Sequence, residues 1–297
     1  MVLNSNSKAA QRGPQHLSGE SRPPLTPGLY VVATPIGNLR DITLRALDVL
    51  GGADRVLAED TRQTGKLFEA FDISAKLTAY HDHNAAARIP QVMGWLDEGQ
   101  VVALVSDAGT PLVSDPGFKL VRAAVAAGHE VFPLPGASAV LAGLVKSGLP
   151  SDKFLFAGFL PAKSAARKRE LESLKTVPAT LIFFETGPRI KACLGDMAEV
   201  LGERDVVLTR ELTKRYEEAR HGTFAQVQDS VLNDTPRGEL VLLVGPPAED
   251  ASWGTARVTS ALQQIIPEDG VKRASAQVAE MSGWAKRDVY ALALSLK

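Results

Sequence analysis

Short apolar runs alternate with amphipathic stretches along the chain from Leu29 onward. An apolar run bounded by turn residues predicts a buried strand, and an apolar residue at every third or fourth position predicts a helix. In the first half, strands are expected at 29–33, 55–58, 101–105 and 130–132, and helices at 41–50, 90–98, 118–127 and 138–146. This alternation predicts a mostly parallel sheet with helices on both faces.

Capping residues suggest where these helices begin and end. Asp41 is expected near a helix N-terminus, where a carboxylate accepts from free backbone N–H groups and opposes the helix dipole. Gly51 and Gly52 are expected to end that helix. Ser138 is expected to cap the helix that runs to Lys146.

The second half repeats the alternation and then becomes helical. Strands are expected at 154–159, 179–184, 206–209 and 240–244, with a further antiparallel strand at 217–222 and helices at 165–175, 190–201 and 224–232. After two prolines the pattern predicts only helices, at 256–266, 273–281 and 286–295. We therefore predict two α/β domains, 28–148 and 149–247, with a linker near 147–153 and a helical appendage at 248–297.

Composition narrows the class of protein. The polar residues 1–27 lack the apolar core of a signal peptide and predict a disordered tail. No apolar run is long enough for a membrane span. Cys193 is the single cysteine among 297 residues, so neither a disulfide framework nor a cysteine-based zinc site is expected. The net charge of −1 gives no global attraction to nucleic acid. We expect a cytoplasmic protein.

Three loops of small residues follow predicted strands of the first half. They are Thr-Pro-Ile-Gly-Asn at 34–38, Val-Ser-Asp-Ala-Gly-Thr-Pro-Leu-Val-Ser-Asp-Pro-Gly at 105–117, and Pro-Gly-Ala-Ser at 135–138. Carboxyl ends of parallel strands share one edge of a sheet, where α/β proteins bind ligands. Small residues also let the backbone approach a ligand closely. Three tight turns are the alternative interpretation.

Other chemistries find little support. The chain has no phosphate-binding GxxxxGK[ST], no GxGxxG after the first strand and no GxSxG, so kinase, dehydrogenase and serine-hydrolase functions are disfavoured. His81, Asp82 and His83 could hold a metal, but a solvent-facing loop is the favoured interpretation and no metal site is predicted. Asp107 and Asp115 could form an acid–base or magnesium pair. Turn-fixing is favoured for Asp115.

A set of motifs resembles one enzyme family. They are TPIGNLRD at 34–41, AEDTR at 58–62, SDAGTPLVSDPG at 106–117, PGASA at 135–139, GFLP at 158–161 and RELTK at 210–214. Together they resemble the tetrapyrrole-methylase-like class of S-adenosylmethionine-dependent methyltransferases, and within it a subfamily that acts on ribosomal RNA. The resemblance runs from about Leu29 to Lys297. The run at 183–189 departs from the family pattern in lacking a histidine before Arg189.

The resemblance implies a fold, a reaction and partners. It implies two α/β domains with the cofactor between them, a homodimer, and S-adenosyl-L-methionine as methyl donor. The implied acceptor is the ribose 2′-oxygen of a decoding-region cytidine (cytidine 1402) of 16S rRNA, on the 30S ribosomal subunit. A same-fold enzyme acting on a porphyrinoid or amino acid, and a non-catalytic ribosome assembly factor, are the alternatives.

The resemblance also assigns residues. The cofactor is expected to contact Pro35, Ile36, Gly37, Asp107, Gly109, Thr110, Leu112, Val113, Ser114, Ala137, Ser138, Phe184, Glu185, Leu212, Glu239 and Leu240. The candidates for activating the ribose hydroxyl are Lys163, Asp60, Glu59 and Glu211. The candidates for RNA contact are Arg62, His81, Arg167, Lys168, Arg169, Arg189 and Lys214.

Several of these assignments have structural alternatives. Lys163 could instead contact a phosphate or stand at a solvated helix N-terminus. Asp60 and Arg62 could form a structural ion pair. The cations at 167–169 could belong to a solvated helix face that pairs with nearby glutamates. Plain core packing is the alternative for Leu112, Val113, Phe184 and Leu212.

Overall fold

The computed structural model describes residues 24–236, 238–247 and 253–296. The first sheet takes its strands from β1 (Gly28–Val32), β2 (Arg55–Ala58), β3 (Leu77–Ala79), β4 (Val101–Val105) and β5 (Val131–Leu134). Their order is β3-β2-β4-β1-β5, and every pairing is parallel, as predicted. The central strand β4 alternates between two cores. Ala103 faces one with Tyr30, and Leu104 faces the other with Leu29. Burial on both faces explains its unbroken apolar sequence.

Helices cover both faces of this sheet. They are α1 (Leu44–Gly52), α2 (Thr61–Phe71), α3 (Ala85–Asp97) and α4 (Phe118–Ala126), with a short 3₁₀ turn at Leu39–Asp41 before α1. Helix α5 (Ala139–Ser147) follows β5 and packs on the second sheet. Helix α2 and strand β3 were not predicted. The helix is polar overall and buries little beyond Leu67 and Phe68, and the strand is a half-buried edge.

The predicted helix boundaries need three corrections. Asp41 ends the 3₁₀ turn, and the side chain that caps α1 is Thr43, whose Oγ1 accepts from the Ala46 amide at 3.1 Å. Gly51 and Gly52 lie inside α1. Ser138 occupies the N-cap position of α5, but its side chain makes no capping hydrogen bond.

Helix α3 also begins earlier than predicted. Pro90, expected at its first turn, lies inside it, since the preceding alanines already favour the helix.

The second sheet is mixed. Its strands are β6 (Phe154–Phe159), β7 (Thr180–Thr186), β8 (Asp205–Arg210), β9 (Glu218–Thr223) and β10 (Glu239–Val244), in the order β6-β7-β10-β8-β9. Only β6 and β7 run parallel; the remaining neighbours are antiparallel, including the predicted strand that became β9. Helices α6 (Ser164–Leu174), α7 (Gly187–Leu201) and α8 (Phe224–Asn233) cover one face. Helix α5 covers part of the other.

The C-terminal residues form a separate small core. Helix α9 (Thr255–Ser282) is kinked at Gly270, whose backbone is not helical, so it comprises two helices as predicted. It packs with α10 (Lys286–Ser295) around Val258, Leu262 and Val289. Within the described part of the chain, no helix has both the length and the hydropathy of a membrane span.

The boundary predicted at residue 27 for the N-terminal tail lies a few residues too far along the chain. Residues 1–23 lie outside the described residues. Leu25 packs against the core of the first sheet, and the Thr26 carbonyl accepts from the Tyr30 hydroxyl at 2.9 Å. Residues 24–27 therefore belong to the first folded unit.

Candidate active site

A cavity lies between the two sheets, at the edge where the strands of the first sheet end. The loops after β1, β4 and β5 form one wall, and the second sheet with the loop after β8 forms the other. Its lining residues are Ile36, Asp107, Ala108, Gly109, Thr110, Val113, Ser114, Asp115, Ser138, Ala139, Val140, Phe159, Phe184, Glu185, Thr209, Glu211, Leu212, Lys214, Glu239, Leu240 and Val241. The predicted small-residue loops therefore meet at one site.

Hydrogen bonds to backbone carbonyls join the three loops of the first wall. Thr34 and Gly109 exchange N–H···O bonds of 2.8 and 2.9 Å, and the Thr110 hydroxyl donates to the Ala137 carbonyl at 3.2 Å. Gly109 has φ +80°, and a Cβ there would lie 3.3 Å from Cγ2 of Ile36. A side chain at this position would be strained and would press on the cavity wall, which explains the glycine.

Strand alternation decides which residues of the second sheet face the cavity. Phe184 of β7 and Val241 of β10 belong to the core on the α5 side, and the Phe184 ring packs edge-to-face on Phe159 with centroids 5.6 Å apart. Leu240 belongs to the opposite core. Glu185 also faces that side, because its Oε1 lies 3.2 Å from Nε of Arg189 on α7. The side chains of Leu240 and Glu185 therefore pack on the α7 side of the second sheet, behind the cavity wall.

Three of the five carboxylate residues that line the cavity influence one another's charge. Asp107 and Asp115 come from the long loop after β4, and Glu239 begins β10. Burial raises the pKa of Asp115 to about 6, with further contributions from Asp107 and Glu239 and an opposing one from Ser106. The pKa of Glu59, which lies nearby, is raised by burial and by the charges of Asp115 and Asp107. This edge of the cavity therefore concentrates carboxylate groups.

The loop after β8 closes the cavity from the second sheet. Glu211 and Thr213 have φ of +50° and +66°, an uncommon conformation for residues other than glycine. The Lys214 ammonium lies 2.9 Å from Oε1 of Glu211. The Lys214 stem crosses Gly37, where a Cβ would come within 2.6 Å of it. Lys214 thus links the two halves across the cavity, and its predicted RNA contact would compete with this pairing.

The structure brings most of the predicted cofactor residues together. Four of them do not line the cavity: Pro35, Gly37, Leu112 and Ala137. Gly37 and Ala137 contact residues of the lining instead. The Lys214 stem packs over Gly37, and the Ala137 carbonyl accepts from the Thr110 hydroxyl. Leu112, with φ +74°, packs towards the first-sheet core that includes Leu104.

The residues predicted to activate the ribose hydroxyl lie in different settings. Glu211 lines the cavity, whereas Lys163 is exposed at the N-cap position of α6. Asp60 caps α2 and binds Arg62 through Oδ2 at 2.7 Å. Hydrogen bonds from the Arg62 side chain and backbone lower the pKa of Asp60 to about 2. So acidic a group is a poor proton acceptor near neutral pH.

The predicted RNA-contact cluster on α6 needs correction. Arg167 is only 4% exposed, because its guanidinium pairs with Asp196 and donates to the carbonyls of Pro161 and Ala162. Lys168 pairs with Glu199. Arg169 remains exposed. Amphipathic spacing could not reveal Arg167's partner, since Asp196 lies on another helix.

The other predicted RNA contacts lie in different settings. Arg189 is held by Glu185 and by the Leu160 carbonyl. Arg62 is 87% exposed despite its pairing with Asp60. His81 is half-buried, with Nε2 3.3 Å from the Asn84 amide nitrogen. Of the predicted RNA contacts, Arg62, Arg169 and Lys214 are exposed, and Lys214 is paired with Glu211.

The sequence-based assignment missed several lining residues. Phe159, Thr209 and Val241 stand on strands that come together only through sheet pairing. Asp115 was favoured as a turn-fixing residue, yet it lines the cavity. Its place in a loop far longer than a turn requires was the available signal. The described residues contain no group of three or more histidine, cysteine or acidic side chains able to hold a metal.

Two α/β domains with a cavity between them, lined by small-residue loops, agree with the methyltransferase class that the motifs resemble. The family model "Tetrapyrrole (Corrin/Porphyrin) Methylases" matches residues 28–228, and the chain belongs to this family. The model "RsmI C-terminal HTH domain" matches residues 254–297.

Relatives and solved structures agree with this membership. The chain is 51% identical to ribosomal RNA small subunit methyltransferase I of Mesorhizobium japonicum, covering 92% of this chain and 94% of the relative. It is 47% identical to the protein of that name from Escherichia coli O157:H7, covering 90% and 94%. Two solved structures share the fold at 18% identity. Cobalt precorrin-4 methyltransferase has a TM-score of 0.55 and covers 73% of this chain and 94% of its own. The methyltransferase CobJ has a TM-score of 0.57 and covers 74% and 95%.

Proposed function

We propose that this protein transfers a methyl group from S-adenosyl-L-methionine to the ribose 2′-oxygen of a decoding-region cytidine in 16S rRNA, within the 30S subunit. The observation that carries the proposal is the cavity between the sheets, built by the loops that carry the subfamily's motifs. Relatives named as small-subunit ribosomal RNA methyltransferases, alike over about nine-tenths of the chain, support the RNA substrate.

The lining residues fit a sulfonium cofactor. Asp107, Asp115 and Glu239 supply negative charge beside apolar walls, which complements a cationic centre on a largely apolar molecule. Phe159 and Phe184 offer ring surfaces for stacking against an aromatic base. The bonded loops at Thr34, Gly109 and Ala137 provide a rigid backbone cradle. When bound, S-adenosylmethionine supplies an electrophilic methyl group that needs no further activation.

The chain's own residues then have three tasks. The backbone cradle and the aromatic wall hold the reactants in line, which lowers the entropic part of the barrier. Leu212, Val241 and Phe184 exclude water from the reacting centre. A group at the acidic edge accepts the proton of the ribose hydroxyl, a weak nucleophile while it keeps that proton.

The 30S subunit requires a surface beyond the cavity. Lys286 and Arg287 occupy the first turn of α10, where the helix dipole disfavours cations. Arg287 is 91% exposed, and Tyr290 one turn later is also exposed. Exposed cations beside an aromatic ring suit phosphate contact and base stacking. We assign RNA contact to this face together with Arg62 and Arg169.

A homodimer is part of the proposal. The outer face of α5 exposes Val145 by 83% and Leu141 by 52%, beside a shallow pocket that includes Lys146 and Glu217. Apolar side chains exposed in adjacent turns of one helix favour a protein partner. A second copy of the chain is the occupant we propose, in keeping with the dimer implied by the resemblance.

The test uses purified protein, radiolabelled S-adenosylmethionine and 30S subunits that lack the native methylation, with naked 16S rRNA alongside. Label at one alkali-resistant ribose in the 30S sample is the expected result. Label in naked RNA alone would refute the assembled substrate. Cofactor binding without label in either RNA would refute the RNA methyltransferase function and favour a small-molecule acceptor or an assembly role.

A further inference from the structure

Asp115 occupies an unusual position in the cavity wall. It follows Leu112 and Ser114, both with positive φ, and precedes Gly117. Strained backbone of this kind is maintained only where the surrounding structure fixes it, and it clusters at functional sites. This loop lies between the sheets, where Asp115 and Glu239 of the second sheet line the same cavity.

Two other carboxylates of the cavity lining, Asp107 and Glu211, are already engaged. Oδ1 of Asp107 accepts from the Asp60 amide at 3.0 Å, and Asp60 itself binds Arg62. Glu211 pairs with Lys214. Among the ion pairs made by the described residues, none includes Asp115.

We infer that Asp115 is the general base of the methyl transfer, accepting the proton of the ribose 2′-hydroxyl. This rests on the proposed function. As the oxygen–methyl bond forms, the sulfur–methyl bond breaks and its electron pair stays on sulfur. The hydroxyl proton moves to the Asp115 carboxylate, which later releases it to water.

The electrostatic surroundings suit this task. The charged groups that face Asp115 are Asp107 on its own loop, Glu239 on β10 and Glu59 at the end of β2, with Glu211 and Lys214 across the cavity. Burial and the neighbouring acids raise the pKa of Asp115 to about 6. Such a carboxylate is still ionised at neutral pH, but it holds a proton better than an ordinary aspartate.

The experiment measures single-turnover methylation of 30S subunits between pH 5 and pH 9 at saturating cofactor. Wild-type protein is expected to lose rate below about pH 6. Asp115→Asn is expected to lose about a hundredfold or more in rate, and to lose the acid limb of the profile. Glu239→Gln is expected to move that limb to lower pH, because one neighbouring negative charge is gone. Asp97→Asn, an exposed carboxylate on α3, serves as the control and should leave the profile unchanged.

Calorimetric titration with S-adenosylmethionine measures whether each variant still binds the cofactor. If Asp115→Asn keeps the wild-type rate, or if Glu239→Gln leaves the acid limb in place, the assignment is overturned while the proposed function stands. If wild-type protein itself methylates no ribose at any pH, the proposed function falls and the assignment with it. Should Asp115→Asn fail to fold, the shift of the limb in Glu239→Gln decides.

Discussion

Arg167 and Asp196 form a buried ion pair, with Nη2 of the guanidinium 2.6 Å from Oδ2 of the carboxylate. The same guanidinium donates to two backbone carbonyls, and the Ser164 hydroxyl donates to the carboxylate at 3.0 Å. Every polar group of the pair is thereby satisfied by α6, α7 or the turn before α6. Arg167 consequently holds α6 against α7.

Replacing Arg167 by alanine should destabilise the protein without a specific effect on RNA. We expect the free energy of unfolding to fall by about 3 kcal/mol, the lower end for a broken buried pair, because Asp196 would keep only Lys168, 3.7 Å away, as an ion-pair partner among the described residues. Arg169→Ala, two residues away and exposed, should change it by less than about 0.5 kcal/mol. Urea titration of both variants measures the difference. Equal stability of the two would contradict the structural role.

The same pair should affect stability at low pH. Although burial opposes the shift, hydrogen bonds from Ser164 and Arg167 lower the pKa of Asp196. Its contribution is therefore fully present above the ordinary value of 3.8 and is lost as the pH falls through the lower folded value. The stability gap between wild type and Arg167→Ala should narrow below about pH 4.

Asp115 should reduce stability at neutral pH. Its folded pKa of about 6 lies above the ordinary 3.8, so the folded state holds a proton that the unfolded state releases first. Stability consequently falls as the pH rises through this window. At pH 8 the free energy of unfolding of Asp115→Asn should exceed that of wild type by about 1–2 kcal/mol, after allowance for partial exposure, and its Tm should be correspondingly higher. The advantage should vanish at pH 4, and a thermal melt at both pH values checks it.

Gly109 and Gly128 separate backbone strain from cavity fit. Their φ angles are +80° and +82°, but a Cβ at Gly128 would meet no atom within 4 Å. Each alanine variant should lose about 1–2 kcal/mol of stability, because both need the left-handed conformation. Only Gly109→Ala should also weaken S-adenosylmethionine binding, by about tenfold in Kd. Calorimetric titration measures this, and equal affinities would argue against cofactor contact at Gly109.

The α5 face should control association. Val145→Asp is expected to convert the dimer into a monomer, because a carboxylate would be buried in an apolar interface. Leu232→Asp on α8, with the wild-type leucine 51% exposed, is the matched control and should remain dimeric. Light scattering after size exclusion gives the mass of each. A monomeric wild type would refute the proposed dimer.

Reversing Lys286 and Arg287 to glutamate should impair the use of 30S subunits. We expect kcat/KM for the subunit to fall about tenfold, because phosphate contacts near α10 would become repulsive. The Kd for S-adenosylmethionine should stay unchanged. Lys76→Glu with Arg122→Glu makes the same change of charge at exposed positions of the first unit. An equal effect of both pairs would indicate general charge repulsion.

Four of the five strands of the first sheet, the three small-residue loops and the family could be predicted from the sequence. Strands such as Val101–Val105 are apolar because both faces are buried, so the pattern is local. Loops that follow neighbouring parallel strands must share an edge, so their meeting also follows from the chain order. The motifs carried by these loops then sufficed to recognise the family, which the family model bears out.

The partner of each charged side chain could not be predicted from the sequence and follows from the packing of the two domains. Arg167 has a structural role because Asp196 comes from another helix, and the Glu185 side chain is held by Arg189 of α7. Asp115 and Glu239 line the same cavity although more than a hundred residues separate them in the sequence. Burial, ion pairing and the resulting pKa depend on neighbours that pairing of the second sheet brings together, and no local pattern in the chain encodes them.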